Sequence, residues 1–96
     1  MENKRNEFAE FLGKIVIHVR KERGLTQPEF ATQIGITQSA LSRLERGLIT
    51  PDALVFRRLA QVIGKTPDKL YSIIDKAIKH WKPIMNALQQ GRVENG

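Results

Sequence analysis

Between Thr26 and Gly47 the chain reads TQPEFATQIGITQSALSRLERG, and Gln27, Gln38, Ser39 and Arg43 within it are side chains suited to forming hydrogen bonds. A glutamine amide presents a donor and an acceptor side by side, an arginine presents a rigid fork of donors, and a serine hydroxyl does either. This is binding chemistry. The parts needed for catalysis are missing. His18 and His80 are isolated, with no acid or cysteine at ligand spacing, so no metal site is expected. Ser39, Ser42 and Ser72 have no identifiable base, and there is neither a cysteine nor a glycine-rich phosphate loop. No enzyme activity and no cofactor is expected.

The elements that must hold those side chains read as helices throughout, an all-α chain without an alternating strand pattern. A first helix from Glu7 to Arg23 carries the apolar stripe Phe8, Leu12, Ile15, Val16 and Val19 and stops at Gly24. Thr26 is an N-cap with Glu29 at the capping-box position, and Pro28 is tolerated in the first turn, where amides have no intrahelical partner. This second helix ends before Gly35. Thr37 caps a third, which ends before Gly47. Thr50-Pro51 and Thr66-Pro67 each read as a cap followed by proline at the first helical position, opening a fourth helix to about Ile63 and a fifth from Pro67. Pro83 is expected to kink the fifth helix or to restart it, and the tail after Gly91 to fray.

Ninety-six residues make one domain of modest core, which dimerisation would help to stabilise. The net charge of +6 and pI near 10.1 favour an anionic partner, most often nucleic acid. MENKRNEF lacks the apolar core of a signal peptide, and no apolar run approaches membrane-spanning length. With no cysteine, these features fit a cytoplasmic protein without a membrane partner.

Phe30, Ile34, Leu41 and Leu44 give the second and third helices one shared apolar side. Ala31 falls where the two should cross, Gly35 can take a positive φ at the corner, and Ile36 would turn inward as its plug. This is a helix-turn-helix arrangement, which holds its second helix out to enter a DNA major groove. The segments RKERGLTQPEFATQIGITQSALSRLERG and TPDALVFRRLAQVIGKTPDKL resemble the Cro and phage-repressor type of helix-turn-helix protein, the XRE-like family, over about residues 12–74. The resemblance implies a compact five-helix, repressor-like DNA-binding domain over 1–74, with its helix-turn-helix at about 26–47 and a helical extension and tail over 75–96. It also implies a regulator of transcription, usually a repressor, that binds a palindromic operator in double-stranded DNA as a homodimer.

Carried over residue by residue, the family pattern makes 38–46 the recognition helix and gives base contacts to Thr37, Gln38, Ser39 and Arg43. Glutamine suits adenine, arginine can grip guanine bidentately, and serine serves either. Gln27 matches the family glutamine that bonds a phosphate and braces the first glutamine of the recognition helix. Arg46 is the nearest positive charge to the following loop and a second phosphate contact. Arg20 and Glu45 match a partly buried ion pair that joins the first helix to the end of the third; such a pair fixes orientation more than it adds net stability.

The chain also departs from the pattern. GLITP puts Leu48 and Ile49 where the family often has basic or polar residues, and Leu54 points away from the buried face of the fourth helix, marked by Phe56, Leu59, Ala60 and Ile63. Leu48, Ile49 and Leu54 could form one exposed apolar patch, a candidate dimer surface. Ile17 sits about opposite the core stripe, with the C-terminal segment as its candidate cover. Leu70, Ile74, Ala77, Trp81, Ile84 and Leu88 follow a heptad-like seam, of which Trp81, Ile84 and Leu88 are further dimer candidates. The regulator could be a phage-type repressor, an antitoxin that pairs with a toxin and represses its own operon, or a restriction-modification controller; competing readings are a protein-interaction module on this fold and a non-specific nucleic-acid binder.

Overall fold

A computed structural model describes the backbone of residues 6–95, and the side chains of 6–81, 83, 84 and 86–88. Five helices follow one another: α1 (Glu7–Glu22), α2 (Gln27–Ile34), α3 (Gln38–Glu45), α4 (Ala53–Ile63) and α5 (Pro67–Asn95). There is no strand among the described residues. The protein is all-α, as the period of its apolar residues requires.

Local chemistry sets most of the boundaries. Asn6 caps α1 by accepting from the Ala9 amide at 3.1 Å, and Glu7 and Glu10 lie in its first turn, where acidic side chains favour the helix dipole. Both halves of the Thr26–Glu29 capping box are formed. Thr66 accepts from Lys69 at the start of α5. The Asp68 carboxyl there is held below its ordinary value, first by its hydrogen bond with Thr66.

Two boundaries differ from the sequence expectation. Asp52, not Thr50, caps α4, its carboxylate accepting from the Val55 amide at 2.9 Å. Thr50 instead accepts from Asn6 at 2.9 Å, so its hydroxyl ties the start of α1 to the loop after α3, and Pro51 precedes the cap. At the other end α5 does not restart at Pro83 but runs as one helix through it and on past Gly91 to Asn95. A proline deletes one amide bond and can kink an axis without ending the helix, and a lone glycine costs a helix only about 1 kcal/mol relative to alanine.

The core lies where the helices meet. Leu12, Val16, Phe30, Ala31, Ile34, Leu41, Leu44, Leu59, Ala60, Leu70 and Ile74 form one buried cluster. Phe8, Ile15, Val19, Ile36, Phe56 and Ile63 pack on it half-buried. Gly13, absent from the expected stripe, is buried as well, because α1 crosses the end of α3 there: a Cβ on Gly13 would lie 2.6 Å from the Glu45 carbonyl oxygen. Arginines close two helix ends. Arg23 donates to the Val62 carbonyl at 2.5 Å and Arg58 to the Ile34 carbonyl at 3.5 Å.

The first half of the α5 seam enters this core, and Leu70 and Ile74 are buried. Trp81, Ile84 and Leu88 are exposed. Between them a shallow groove of about 410 Å³, lined by Phe11, Lys14, Ile15, His18, Ile73, Ala77 and Trp81, runs along the join of α1 and α5. Ile17 lines a separate hollow with Glu10, Lys14, Glu45 and Arg46, because its side of α1 faces the end of α3.

Candidate nucleic-acid interface

The corner between α2 and α3 is closed by backbone chemistry. Gly35 adopts φ 75° and ψ 33°, its amide donates to the Thr32 carbonyl at 3.2 Å, and the Ile36 amide reaches back to Ala31 at 3.0 Å. That is the Schellman pattern, and only glycine takes its left-handed residue without cost. Ile36 then turns its side chain onto the core, and Thr37 restarts the helix by accepting from the Ala40 amide at 3.0 Å.

On α3 the faces separate cleanly. Leu41 and Leu44 are fully buried, while Gln38, Ser39 and Arg43 are exposed. Arg43 donates to the Ser39 hydroxyl at 3.2 Å, a contact available to residues four apart on a helix. Arg46 follows the helix, exposed, with its Nε on the Ser42 carbonyl at 3.3 Å. In the next loop Leu48 is exposed, as is Leu54 on α4, but Ile49 is turned partly inward against the core. Of the three, only Leu48 and Leu54 are exposed, because Ile49 packs against the core.

Beneath the exposed face runs a polar chain. Arg20 grips Glu45 with Nε on Oε2 at 2.6 Å and a second nitrogen on Oε1 at 3.2 Å, and it donates a third time to the Leu25 carbonyl. The Glu45 side chain is 4% exposed and that of Arg20 14%, so the pair is partly buried and bidentate. Gln27 donates Nε2 to Glu45 Oε1 at 2.9 Å, and its own Oε1 faces Gln38 Nε2 at 3.5 Å. Sequence reasoning placed all four residues but did not join Gln27 to Glu45. The available signal was that Glu45 continues the buried side of α3 beyond Leu41 and Leu44.

His18 is exposed and pairs with Glu22 at 3.6 Å, four residues on, so it has an acidic neighbour the sequence reading passed over. Among the described residues no group of three or more His, Asp or Glu side chains is placed to hold a metal ion, and no helix is long and apolar enough to cross a membrane.

Two short helices set at a glycine corner, with one hydrogen-bonding face held outward, define a helix-turn-helix DNA-binding protein. Residues 17–70 match the helix-turn-helix family model, and the chain belongs to that family, the XRE-family helix-turn-helix proteins. Its relatives carry the same description. It is 33% identical over 70 residues to the HTH-type transcriptional regulator y4dJ of Sinorhizobium fredii, covering 73% of this chain and 91% of that one. It is 35% identical over 57 residues to an HTH-type transcriptional regulator of Methanothermobacter thermautotrophicus, covering 59% and 83%. With YazB of Bacillus subtilis it shares 37% over 62 residues, covering 65% and 90%. The crystal structure of ClgR, a clp gene regulator from Corynebacterium glutamicum, superposes with a TM-score of 0.68 over 95% of this chain and 92% of that one, at 19% identity, which shows a shared fold. The protein is a transcriptional regulator with a helix-turn-helix DNA-binding domain, and its family is one of regulators rather than enzymes.

Proposed function

We propose that the protein is a sequence-specific repressor of the cytoplasm that binds a palindromic operator as a homodimer. Residues 1–74 form the DNA-binding unit, and the helical extension from residue 75 continues α5 without a break. The observation that carries this reading is α3 itself: Gln38, Ser39 and Arg43 project from a helix whose opposite side, Leu41 and Leu44, is fully buried. A helix fixed that way can enter a major groove only with those three side chains leading. Thr37, at the N-terminal end, joins them as a base contact. Gln38 reads an adenine towards the outer end of each half-site, and Arg43, about one turn along, reads a guanine nearer the dyad. Gln27 retains one Nε2 hydrogen for a phosphate, and Arg46 supplies a second phosphate contact.

Two surfaces can join the subunits, Leu48 with Leu54 and the exposed stripe Trp81, Ile84 and Leu88. A two-fold dimer must bury the same patch on both copies, and a stripe at heptad spacing is self-complementary in that sense. The toxin of an antitoxin pair is the other occupant that such a stripe would suit.

Selection of bound sites from random DNA tests the reading. The wild type should enrich a palindrome with half-site centres about one helical turn apart. Gln38→Ala should relax one position per half-site and Arg43→Ala a different one. If both variants recover the unaltered motif, α3 is not the reader.

A further inference from the structure

We propose that the buried carboxylate of Glu45 is a positioning group for base reading. It dictates which end of the Gln38 amide meets the DNA, acting through Gln27. This rests on the proposed reading of bases by Gln38.

A carboxylate in a salt bridge can only accept hydrogen bonds. Glu45 is fixed in place by the bidentate grip of Arg20, and it faces Gln27 at 2.9 Å. The end of the Gln27 amide that meets it must therefore be the NH2 end. A flipped amide would set a carbonyl oxygen against a carboxylate oxygen inside a nearly closed site. With its nitrogen committed, Gln27 turns its carbonyl oxygen towards α3, where it faces Gln38 at 3.5 Å. Two carbonyl oxygens repel, so Gln38 must in turn offer its NH2 end to Gln27.

One N–H of Gln38 is then turned towards Gln27. The other N–H and the carbonyl oxygen stay free at the surface, as one donor beside one acceptor. Adenine shows the matching pair in the major groove, an acceptor at N7 and a donor at N6. The charge on Glu45 thus passes along two amides, each with two possible orientations, and selects one of four combinations. Glutamine amides in solvent flip freely between the two, and a reader whose ends could exchange would lose its preference.

Site selection from random DNA with Glu45→Gln and Gln27→Met tests the relay, with a melting curve to confirm folding. A glutamine at 45 can donate as well as accept, so it no longer fixes the orientation of Gln27. The expected result is a loss of about tenfold in the preference for adenine at the position relaxed by Gln38→Ala, within the range one bidentate contact supplies. The position relaxed by Arg43→Ala should keep its preference. Gln27→Met preserves the ion pair and cuts the relay in the middle, and it should relax the same position. In the Gln27→Met background, Glu45→Gln should then change base preference no further. Should Glu45→Gln fail to fold, an unchanged motif in Gln27→Met still overturns the relay. A Gln27→Met protein that binds all sites more weakly with its motif unchanged overturns the proposal while leaving base reading by Gln38 intact. A wild type that selects no motif overturns base reading and the relay together.

Discussion

Replacing Gly13 by alanine should destabilise the protein, although alanine is the better helix former. On α1 alone the change would favour folding by about 1 kcal/mol. The new Cβ would, however, lie 2.6 Å from the Glu45 carbonyl oxygen and 2.7 Å from that of Leu44, where ordinary contact begins near 3.4 Å. Both opposing atoms belong to backbone, so no side-chain rotation relieves the overlap, and α1 and α3 must separate by several tenths of an ångström. Overpacking of that kind costs typically about 1–3 kcal/mol, and two rigid contacts put this case at the upper end. The net expectation is a loss of about 2 kcal/mol, which lowers the melting temperature by roughly 8–16 °C in a domain this small. Thermal unfolding followed by circular dichroism measures it. Gly64→Ala is the comparison, with nothing within 4 Å of its Cβ but a φ of 89°, so its cost of about 1–2 kcal/mol is purely conformational. A Gly13→Ala protein that melts at or above the wild type would show that the helices do not approach so closely.

Glu45→Ala leaves a partly buried Arg20 without its carboxylate, although with the Leu25 carbonyl still in reach, and should cost about 3 kcal/mol in urea unfolding; an unchanged midpoint would mean that the pair is not formed. DNA affinity should fall steeply with salt, and Arg46→Ala should reduce the slope of log K against log salt by about 1 if that side chain neutralises a phosphate. An unaltered slope removes Arg46 from the interface. Trp81→Ala should shift the mass measured by sedimentation towards monomer if the exposed stripe of α5 joins the subunits, and a wild type that stays monomeric at high concentration would end the homodimer proposal.

What the sequence made legible was local. Thr26 with Glu29, Gly35, Thr37 and the apolar spacing act within a few residues, and each element they imply is present. The Arg20–Glu45 pair was also legible, though through family resemblance rather than spacing. What stayed hidden depends on how helices cross. Gly13 gives no signal in isolation, and its role appears only once the end of α3 lies against it. Thr50 is as good a cap as Asp52 on paper, but Asn6, 44 residues away in sequence, takes its hydroxyl. That Ile17 shares a hollow with Glu45 and Arg46 is hidden for the same reason, since periodicity tells which side of a helix is apolar but not which element faces it.

Each helix of the reading unit is eight residues long. Helices under about 12–15 residues are marginal on their own in water, so α3 holds its shape only while Leu41 and Leu44 remain in the core. The spacing of Gln38 and Arg43 is thus a property of the whole domain, and a peptide cut from α3 would not carry it. DNA that binds only the folded chain adds to its stability by mass action, about 2.7 kcal/mol when present at a hundred times its dissociation constant. A population sitting on DNA is by that measure shielded from the transient openings that proteases exploit, and molecules without a site are cleared first. Turnover would then trim the pool of regulator towards the number of sites it occupies.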